Sequence, residues 1–311
     1  MTAALLLSWF LSSFHVSISQ PLNVAVSEGK TILTRIGRVK VIKRLGDGTY
    51  GSVFKAEWIE GRRPVALKVE LPQSVSKCVV GNAPDGYLSI EHEWRMMAAM
   101  NGTDGFPTVY TSDFSGNFKY YVMQLLGQSL SSIRKTYSDK CIPVSRLRRF
   151  AHQMLNRIAA LHARDALMLD IHLGNFLIVN EKVYVIDLGM AIPFKYETGQ
   201  HVRYTSSPIS NQCKNDHYAS MHDAAGLSVS RRDDLERLLY VLVDLTTNRL
   251  PWSNVKSSER IQDIKKNSTP KSICVGRAKW LLSAMEYVFS LSFFEKPNYS
   301  YIHKLLDGKS R

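Results

Sequence analysis

Alternating apolar and polar residues predict several short strands in the first 124 positions of the chain. Strands are predicted at residues 39–45, 52–56, 64–69, 106–111 and 119–124. A helix interrupts this series at residues 88–100, where the apolar positions recur at helical spacing. A longer amphipathic helix is predicted at residues 143–162, because its apolar side chains fall on one face. A strand at 183–186 follows.

The composition of the chain is that of a globular protein. Of 311 residues, 45% are hydrophobic and 22% are charged, which excludes a disordered chain, a collagen and a coiled coil. The four cysteines stand far apart without a C-x-x-C pair, so a reducing compartment fits better than a disulfide framework or a zinc ribbon. A net charge of +13 favours anionic partners: nucleic acid, an acidic membrane, a phosphate cofactor or an acidic substrate.

The first 29 residues differ from the rest of the chain in their lack of charge. Glu28 is the only residue among them that is Asp, Glu, Lys or Arg. Residues 3–14 are almost wholly apolar, yet a helix needs about 20 apolar residues to span a bilayer, so no stable membrane insertion is expected. Two interpretations stay open: the core of a signal peptide cut after Ser19, or an extension packed on the domain. The segment lacks a positively charged start. We favour an intracellular protein, in the cytoplasm or nucleus, over a secreted one.

A glycine-rich string lies between the first two predicted strands. Residues 46–51 together with Val53 form the pattern G-x-G-x-x-G-x-V, in which glycines let backbone N–H groups approach phosphates. A dinucleotide-binding fold would need a helix directly after the glycines, whereas a strand follows here. A phosphate-covering hairpin is therefore the better interpretation. Its nucleotide-contact candidates are Gly46, Asp47, Gly48, Thr49, Tyr50, Gly51 and Val53.

The next apolar strand contains Lys68, at the end of the string VALK. A lysine in a buried strand is unfavourable unless it is paired or binds an anion, although an edge-strand lysine could keep its head in water. VALK matches the V-A-I-K signature of protein kinases, whose lysine holds ATP phosphates. Its acidic partner is expected on the following helix; of Glu91 and Glu93 we prefer Glu91, beside Ile90 at the apolar edge. Further nucleotide-pocket candidates are Ala66, Leu126 and, behind the adenine, Met123.

Two strings in the second half complete this set. Asp170 and Asn175 have the spacing of the kinase catalytic loop H-R-D-x-x-x-x-N, and residues 187–189 (DLG) have the form of D-F-G. Asp170 would accept the substrate hydroxyl proton, while Asn175 and Asp187 would hold Mg²⁺. The ordered set predicts an α+β, bilobal protein kinase fold, with a small antiparallel-sheet N-lobe that carries one main helix and a larger, mostly helical C-lobe. The site is expected in the cleft between the lobes.

Longer strings resemble the casein kinase I superfamily, which includes the tau-tubulin kinases. The resemblance covers about residues 38–306, and its most distinctive strings are SRRDDLE at 230–236 and KPNYSY at 296–301. It implies a serine/threonine protein kinase that uses ATP and Mg²⁺ and acts on acidic or phosphorylated proteins. It also implies that Asp234 anchors the catalytic loop. The expected organisation is an extension at 1–36, an N-lobe at 37–124 and a C-lobe at 125–308.

The catalytic loop departs from the family pattern. Met168 and Leu169 replace His-Arg, and His172 replaces a lysine that contacts the transferring phosphoryl group. Because a neutral imidazole supplies less positive charge than lysine, we expect His172 to slow catalysis without abolishing it. The alternative is a pseudokinase that binds ATP or acts as a scaffold, an interpretation that the flexible Gly174 also favours.

The basic excess is expected to serve protein substrates. Residues that could line an anion-receptive face, although each could also be a solvated charge, are Arg146, Arg148, Arg149, Arg231, Arg232 and Lys256. His217 stands where the family usually has an arginine that reads a substrate phosphate, which puts a preference for primed substrates in doubt. The aromatic residues fall at core-like positions, so no nucleic acid is expected to bind. We expect a monomer.

Overall fold

The structure, a computed structural model, describes residues 26–48, 51–70, 89–115, 118–205 and 216–308. Its contacts divide the chain into two compact units. The first unit comprises Met1–Leu126 and Asp187–Met190, and the second comprises Gly127–Ile186 and Ala191–Arg311. Among the described residues, no helix combines the length and the apolar character that crossing a membrane requires.

The first unit contains a six-stranded antiparallel sheet whose strand order is β1-β2-β3-β4-β6-β5. Its strands are β1 (Thr31–Thr34), β2 (Gly37–Gly48), β3 (Gly51–Trp58), β4 (Arg63–Glu70), β5 (Val109–Ser115) and β6 (Phe118–Gln124). Consecutive strands pair with each other except at β4, which lies between β3 and β6. The helix α1 (Ile90–Ala99) comes between β4 and β5 in the chain.

Alternation of side chains gives the two faces of this sheet different roles. One face forms an apolar core, because residues two apart along each strand point to the same side. Its buried members include Val39, Val41, Phe54, Ala56, Val65, Leu67, Val69, Tyr120 and Val122. The intervening residues of β4, among them Ala66 and Lys68, therefore point to the opposite face. That face carries the predicted site residues of the first unit.

The strand β1 lies inside the segment that was expected to be an extension, residues 1–36. Thr31–Thr34 pair with Gly37–Lys40 of β2, and Ile32 is buried in the core of the sheet. The folded sheet therefore begins before residue 37. The apolar segment at residues 3–14 and the proposed cut after Ser19 lie outside the described residues.

The second unit is largely helical. Its helices are α2 (Leu130–Arg134), α3 (Val144–His162), α4 (Met221–Ala224), α5 (Arg231–Thr247), α6 (Ser258–Lys266), α7 (Pro270–Ile273), α8 (Leu282–Ser290) and α9 (Tyr299–Leu306), with a 3₁₀ helix at Gly276–Leu281. Short antiparallel pairs join β7 (Gln128–Ser129) to β9 (Phe176–Val179), β9 to β10 (Lys182–Val185), and β8 (Ala166–Leu167) to β11 (Ile192–Pro193). The α+β prediction, with a sheet first and helices after it, is confirmed.

The core of the second unit forms around α3 and α5. The predicted apolar face of α3 is fully buried: Leu147, Phe150, Met154, Leu155, Ile158 and Leu161 are each 0% exposed. Helix α5 is buried along nearly its whole length, and it carries ionisable side chains such as Asp234 and Arg237 into the interior. Since buried charges must be paired or hydrogen-bonded, these residues fix the loops that pack against α5.

Candidate functional site

Lys68 forms the centre of a buried polar cluster in the first unit. It lies in the middle of β4, is 3% exposed, and donates from Nζ to Glu93 Oε1 at 2.6 Å and to Asp187 Oδ2 at 3.2 Å. The hydroxyl of Tyr121, opposite Lys68 on β6, donates to the same Glu93 oxygen at 2.7 Å. The structure therefore brings together Lys68, one helical glutamate and the aspartate of the DLG string.

The preference for Glu91 as the lysine's partner is corrected: Glu93 takes that place. Glu93 is 0% exposed, whereas Glu91 is half-exposed and forms ion pairs with Arg95 and Lys119. Residues two apart on a helix point about 200° apart, so the two glutamates cannot share a face. The sequence did contain a signal for Glu93. It lies three residues after the apolar Ile90, and residues three apart on a helix lie on the same face.

The ionisable groups of this cluster shift each other's pKa values, because they are buried and close together. Burial and the charge of Asp187 raise the pKa of Glu93 from 4.5 to about 7, although Lys68 opposes the shift. Burial lowers the pKa of Lys68, but Asp187 and Glu93 more than reverse this, so its pKa lies above the ordinary value. Lys68 is therefore a fixed cation at neutral pH. A buried cation between two carboxylates is suited to holding a phosphate group.

Three further nucleotide-pocket candidates, Val53, Ala66 and Met123, lie on the lysine's side of the sheet. Val53 pairs across the strands with Lys68, and Ala66 pairs with Met123. Ala66 and Met123 are buried, and Leu126 is half-buried after the end of β6. Small and apolar side chains of this kind are suited to contact with a planar base.

The glycine hairpin joins β2 to β3. At its start, the carboxylate of Asp47 accepts hydrogen bonds from Ser52 at 2.8 Å and from Arg44. At its end, Gly51 has φ +153°, and a Cβ there would lie 2.0 Å from the carbonyl oxygen of Val69. Glycine is needed at this position because β4 passes so close to it. Gly46 and Gly48 belong to β2, whereas the candidates Thr49 and Tyr50 lie outside the described residues.

Asp170 and Asn175 meet in a loop of the second unit. The side-chain nitrogen of Asn175 donates to the Asp170 carbonyl at 3.0 Å and to Asp170 Oδ2 at 3.3 Å. The amide oxygen of Asn175 is thus the atom suited to a hard cation, as is the carboxylate of Asp187 in the first unit. These oxygen donors fit Mg²⁺, the ion that the sequence predicts.

Asp234 anchors this loop from the first turn of α5. Its carboxylate accepts from the backbone amides of Met168 at 2.7 Å and Leu169 at 3.0 Å, and His162 Nε2 lies 3.0 Å away. Leu169 has φ +61°, a left-handed conformation that is unfavourable for a leucine. The resemblance predicts this anchoring role, and the hydrogen bonds show how Asp234 holds the strained residue in place.

His172 and Gly174 are fitted to each other in the same loop. Gly174 donates its backbone N–H to His172 Nδ1 at 3.0 Å, so Nδ1 carries no proton and the imidazole proton is on Nε2. His172 Nε2 lies 3.4 Å from Asp170 Oδ2. A Cβ on Gly174 would lie 2.7 Å from His172 Cε1, which explains the glycine.

The carboxylate of Asp170 is stabilised in its charged form. Burial raises its pKa, but the hydrogen bond from His172, the positive charge of a protonated His172 and the charge of Arg237 together leave the pKa below its ordinary value of 3.8. Asp170 is therefore ionised at neutral pH. Arg237, which the sequence did not single out, contributes to this from α5.

Several basic residues expected on an anion-receptive face have other roles in the second unit. Arg231 and Arg232 donate to the backbone carbonyls of Phe294 and Leu291. Both Arg146 and Arg149 contact Glu181, and Arg148 lies over the ring of Trp280. These five arginines are engaged within the fold, whereas Lys256 is exposed. Burial also lowers the pKa of His217, so it is a poor cation for reading a phosphate.

The segment before α4 is held by two residues that sequence reasoning missed. Lys265, 1% exposed, donates to the carbonyls of Asp216 at 2.5 Å and Ala219 at 2.6 Å. Trp252 Nε1 donates to the carbonyl of His217 at 2.7 Å. This segment contains the string HYAS at residues 217–220. Its backbone is fixed by a buried lysine whose pKa burial lowers to about 7.

A comparison with protein-family models agrees with the fold and with these clusters. The model described as "Protein kinase domain" matches residues 39–288, which is more than half of the chain. The chain belongs to the protein kinase family. The match supports kinase function in general, and proteins with this domain generally use ATP and Mg²⁺.

Proposed function

We propose that this protein is an active serine/threonine protein kinase that transfers the γ-phosphate of ATP to protein hydroxyl groups. The observation that carries the proposal is the buried Lys68–Glu93–Asp187 cluster, because a lysine paired with a helical glutamate and with the aspartate of the DLG string is the arrangement that phosphoryl transfer from ATP requires. The ionised Asp170 beside Asn175 supports the same conclusion.

Each of these groups has a distinct part in the reaction. Lys68 binds phosphate oxygens of ATP, while Asp187 and Asn175 supply oxygen ligands for Mg²⁺. When bound, the metal ion neutralises charge on the β- and γ-phosphates. Asp170 orients the substrate hydroxyl and receives its proton as the new oxygen–phosphorus bond forms. The bond to the β-phosphate breaks, and ADP leaves.

The proposed enzyme is slow. Its loop lacks the lysine that would contact the phosphoryl group, and the imidazole of His172 is neutral while Gly174 donates to Nδ1. Positive charge placed at the transferring phosphoryl group is a main contribution to catalysis in this class of reaction. The substrates we propose are acidic proteins without an obligatory priming phosphate. The net charge of +13, the exposed Lys256 and the neutral His217 support that choice.

The full-length protein tests the proposal in an assay with Mg²⁺ and γ-labelled ATP. Matched peptides should carry serine in acidic, neutral or pre-phosphorylated surroundings, with a tyrosine version of the acidic peptide as a fourth substrate. We expect transfer to the acidic serine peptide and none by Asp187→Asn. No transfer by the wild type, with equal silence of His172→Lys, would rule out the enzyme. Faster transfer to the tyrosine peptide would rule out the serine/threonine assignment.

The second candidate function is a pseudokinase, and the observation that favours it is His172 in place of the usual lysine together with Leu169 in place of the usual arginine. Nucleotide binding separates its two forms, because a ligand that binds the folded state raises the unfolding temperature. A thermal shift with Mg-ATP but no transfer would indicate a nucleotide-binding module. Neither shift nor transfer would indicate a scaffold.

We also propose that the protein acts inside the cell as a monomer. Cys141 and Cys274 are buried free thiols, and burial raises the pKa of both, which makes them unreactive. Such thiols fit a reducing compartment. Light scattering of purified protein gives the oligomeric state, and the mass of the N-terminal peptide from cells shows whether the chain is cut after Ser19.

A further inference from the structure

Arg237 is a buried arginine that reaches the loop containing Asp170. It lies three residues after Asp234 on α5, is 5% exposed, and donates from Nη1 to the carbonyl of Leu169. Its Nη2 donates to Asp223 Oδ2 of α4, a carboxylate that is also buried. One guanidinium therefore joins helix α4, helix α5 and the strained residue that immediately precedes Asp170.

The charge of Arg237 is stabilised by its surroundings. Burial lowers its pKa, but the carboxylates of Asp223, Asp234, Asp233 and Asp170 raise it above the ordinary value. In turn, Arg237 is among the groups that favour the charged form of Asp170. A fixed cation in a protein interior acts over a longer range than one in water, because the local dielectric constant is low. This cation differs from His172, since arginine stays protonated at all relevant pH values.

We propose that Arg237 is a positioning residue that compensates for the two basic residues that the catalytic loop lacks. Leu169 occupies the place of the usual arginine, and His172 the place of the usual lysine. Arg237 holds the carbonyl of Leu169 from outside the loop, which fixes the left-handed turn before Asp170. It also supplies a permanent positive charge near the Asp170 carboxylate. The inference deepens the proposed kinase function and rests on it for its catalytic part.

A purely structural role is the competing explanation, in which Arg237 does no more than neutralise the buried Asp223. Removing one partner of a buried ion pair leaves an uncompensated charge, so Arg237→Gln is destabilising under either explanation. The double variant Asp223→Asn with Arg237→Gln removes both charges together. It therefore separates the effect on folding from the effect on the loop.

The first measurement compares wild type, Arg237→Gln and the double variant by denaturant unfolding and by steady-state kinetics. We expect the double variant to recover most of the stability that Arg237→Gln loses. Its kcat should stay about tenfold or more below that of wild type, with the KM for ATP within about twofold, because the loop has lost its support while the lysine cluster is intact. Recovery of wild-type kcat in the double variant would overturn the proposal.

The second measurement needs no enzymatic activity. Hydrogen–deuterium exchange followed by mass spectrometry reports on the peptide that spans residues 166–175. We expect faster exchange of this peptide in the double variant than in wild type. Arg231→Gln is the matched control, because Arg231 is a buried arginine of α5 that donates to the carbonyl of Phe294. It should leave the loop peptide unchanged.

The two measurements distinguish failure of the inference from failure of the proposed function. If wild type transfers no phosphate but the double variant loosens the loop, the enzyme is ruled out and the anchoring by Arg237 stands. Unchanged exchange in the double variant would contradict the anchoring, whether or not the protein is active. Equal loosening in Arg231→Gln would also overturn it, because the effect would then reflect general destabilisation.

Discussion

His172 shows how one side chain changes the chemistry of a loop whose backbone is otherwise kept. The ring accepts from the Gly174 amide through Nδ1 and points Nε2 toward Asp170, so it orients the carboxylate as a neutral donor. Protonation of Nδ1 would remove the acceptor and break the bond to Gly174. A lysine at the same position could be positively charged without disturbing Gly174, because its ammonium group does not have to accept a hydrogen bond from that amide.

Replacing His172 with lysine is expected to raise kcat, by about tenfold as a central value, because a mobile cation would stabilise charge on the transferring phosphoryl group. Steady-state phosphorylation of the acidic serine peptide measures the change. His172→Gln, a neutral side chain of similar length, is the control and should give no increase. A lysine variant no faster than wild type would show that the missing charge is not what limits the reaction.

Gly174→Ala is expected to lower activity several-fold by forcing the His172 ring away from its position. The added Cβ would lie 2.7 Å from the ring, closer than two carbon atoms can approach. The same change in a His172→Ala background meets no ring and should have little effect. A double-mutant cycle on kcat measures this coupling. Equal losses in the two backgrounds would contradict the contact.

At the scale of elements, two helices determine which charges reach the interior. Helix α1 begins after Ser89, whose side chain accepts from the His92 amide, and the face that the helix buries carries Ile90, Glu93 and Met97. Helix α5 has the charge density of an exposed helix, yet most of its charged residues are buried. Each of these buried charged residues has a partner in another segment. Asp244, for example, pairs with Arg134 at 2.7 Å.

The phase of α1 makes a prediction that compares two neighbouring glutamates. Glu93→Gln should lower kcat/KM for ATP by about tenfold or more, because Lys68 loses a charged partner that positions it. Glu91→Gln is the matched control and should change kcat/KM less than about twofold, since its ion pairs lie at the surface. Comparable losses in both variants would contradict the buried pairing of Lys68 with Glu93.

Glu236 on α5 predicts a pH-dependent stability. Burial and the nearby Asp233 raise its pKa from 4.5 to about 7, while the amide of Met221 and the hydroxyl of Tyr240 donate to it. The folded protein therefore favours the protonated form of Glu236. This form contributes its full stabilisation below pH 4.5, and the contribution is lost as the pH rises to about 7.

The stability of wild type relative to Glu236→Gln should therefore fall between pH 4.5 and 7, by up to roughly 3 kcal/mol. Urea unfolding of both proteins at several pH values measures the difference. Glutamine keeps an acceptor for the amide of Met221 but cannot titrate, which makes it a suitable reference. A difference that does not change with pH would show that Glu236 is already ionised at pH 5.

At the scale of the whole chain, each unit has its own core, and the first core starts near the N-terminus. Val26 and Ile36 pack against the sheet, and β1 adds an edge strand through Thr31–Thr34. The buried side chain of Ile32 and four paired residues would be lost in a protein that began at residue 37.

A protein that starts at residue 37 should therefore be less stable than one that starts at residue 26, by about 2 kcal/mol or more. Thermal and urea unfolding of the two truncated proteins measure this difference. Ile32→Ala in the longer protein is the control for loss of the core contact alone. Equal stability of the two truncated proteins would restore the boundary at residue 36.

The sequence by itself determined the fold class, and it predicted the main strands of the first unit, the long helices and a set of candidate site residues. Periods of two and 3.6 residues predicted the strands of the first unit and the long helix α3, because these patterns reflect which face is buried. The spacing of Asp170 and Asn175, and the lysine in an apolar strand, predicted kinase chemistry before any distance was known. The family match to residues 39–288 agrees with that conclusion.

Tertiary structure decided the pairings. It selected Glu93 over Glu91, because the helix phase depends on the cap at Ser89 and on what the helix packs against. It revealed that Arg237 joins Asp223 to the carbonyl of Leu169, residues 14 and 68 positions away along the chain. It also showed that Gly174 sets the tautomer of His172. Sequence patterns report local periodicity, whereas a partner distant in sequence is fixed only when the fold brings it into contact.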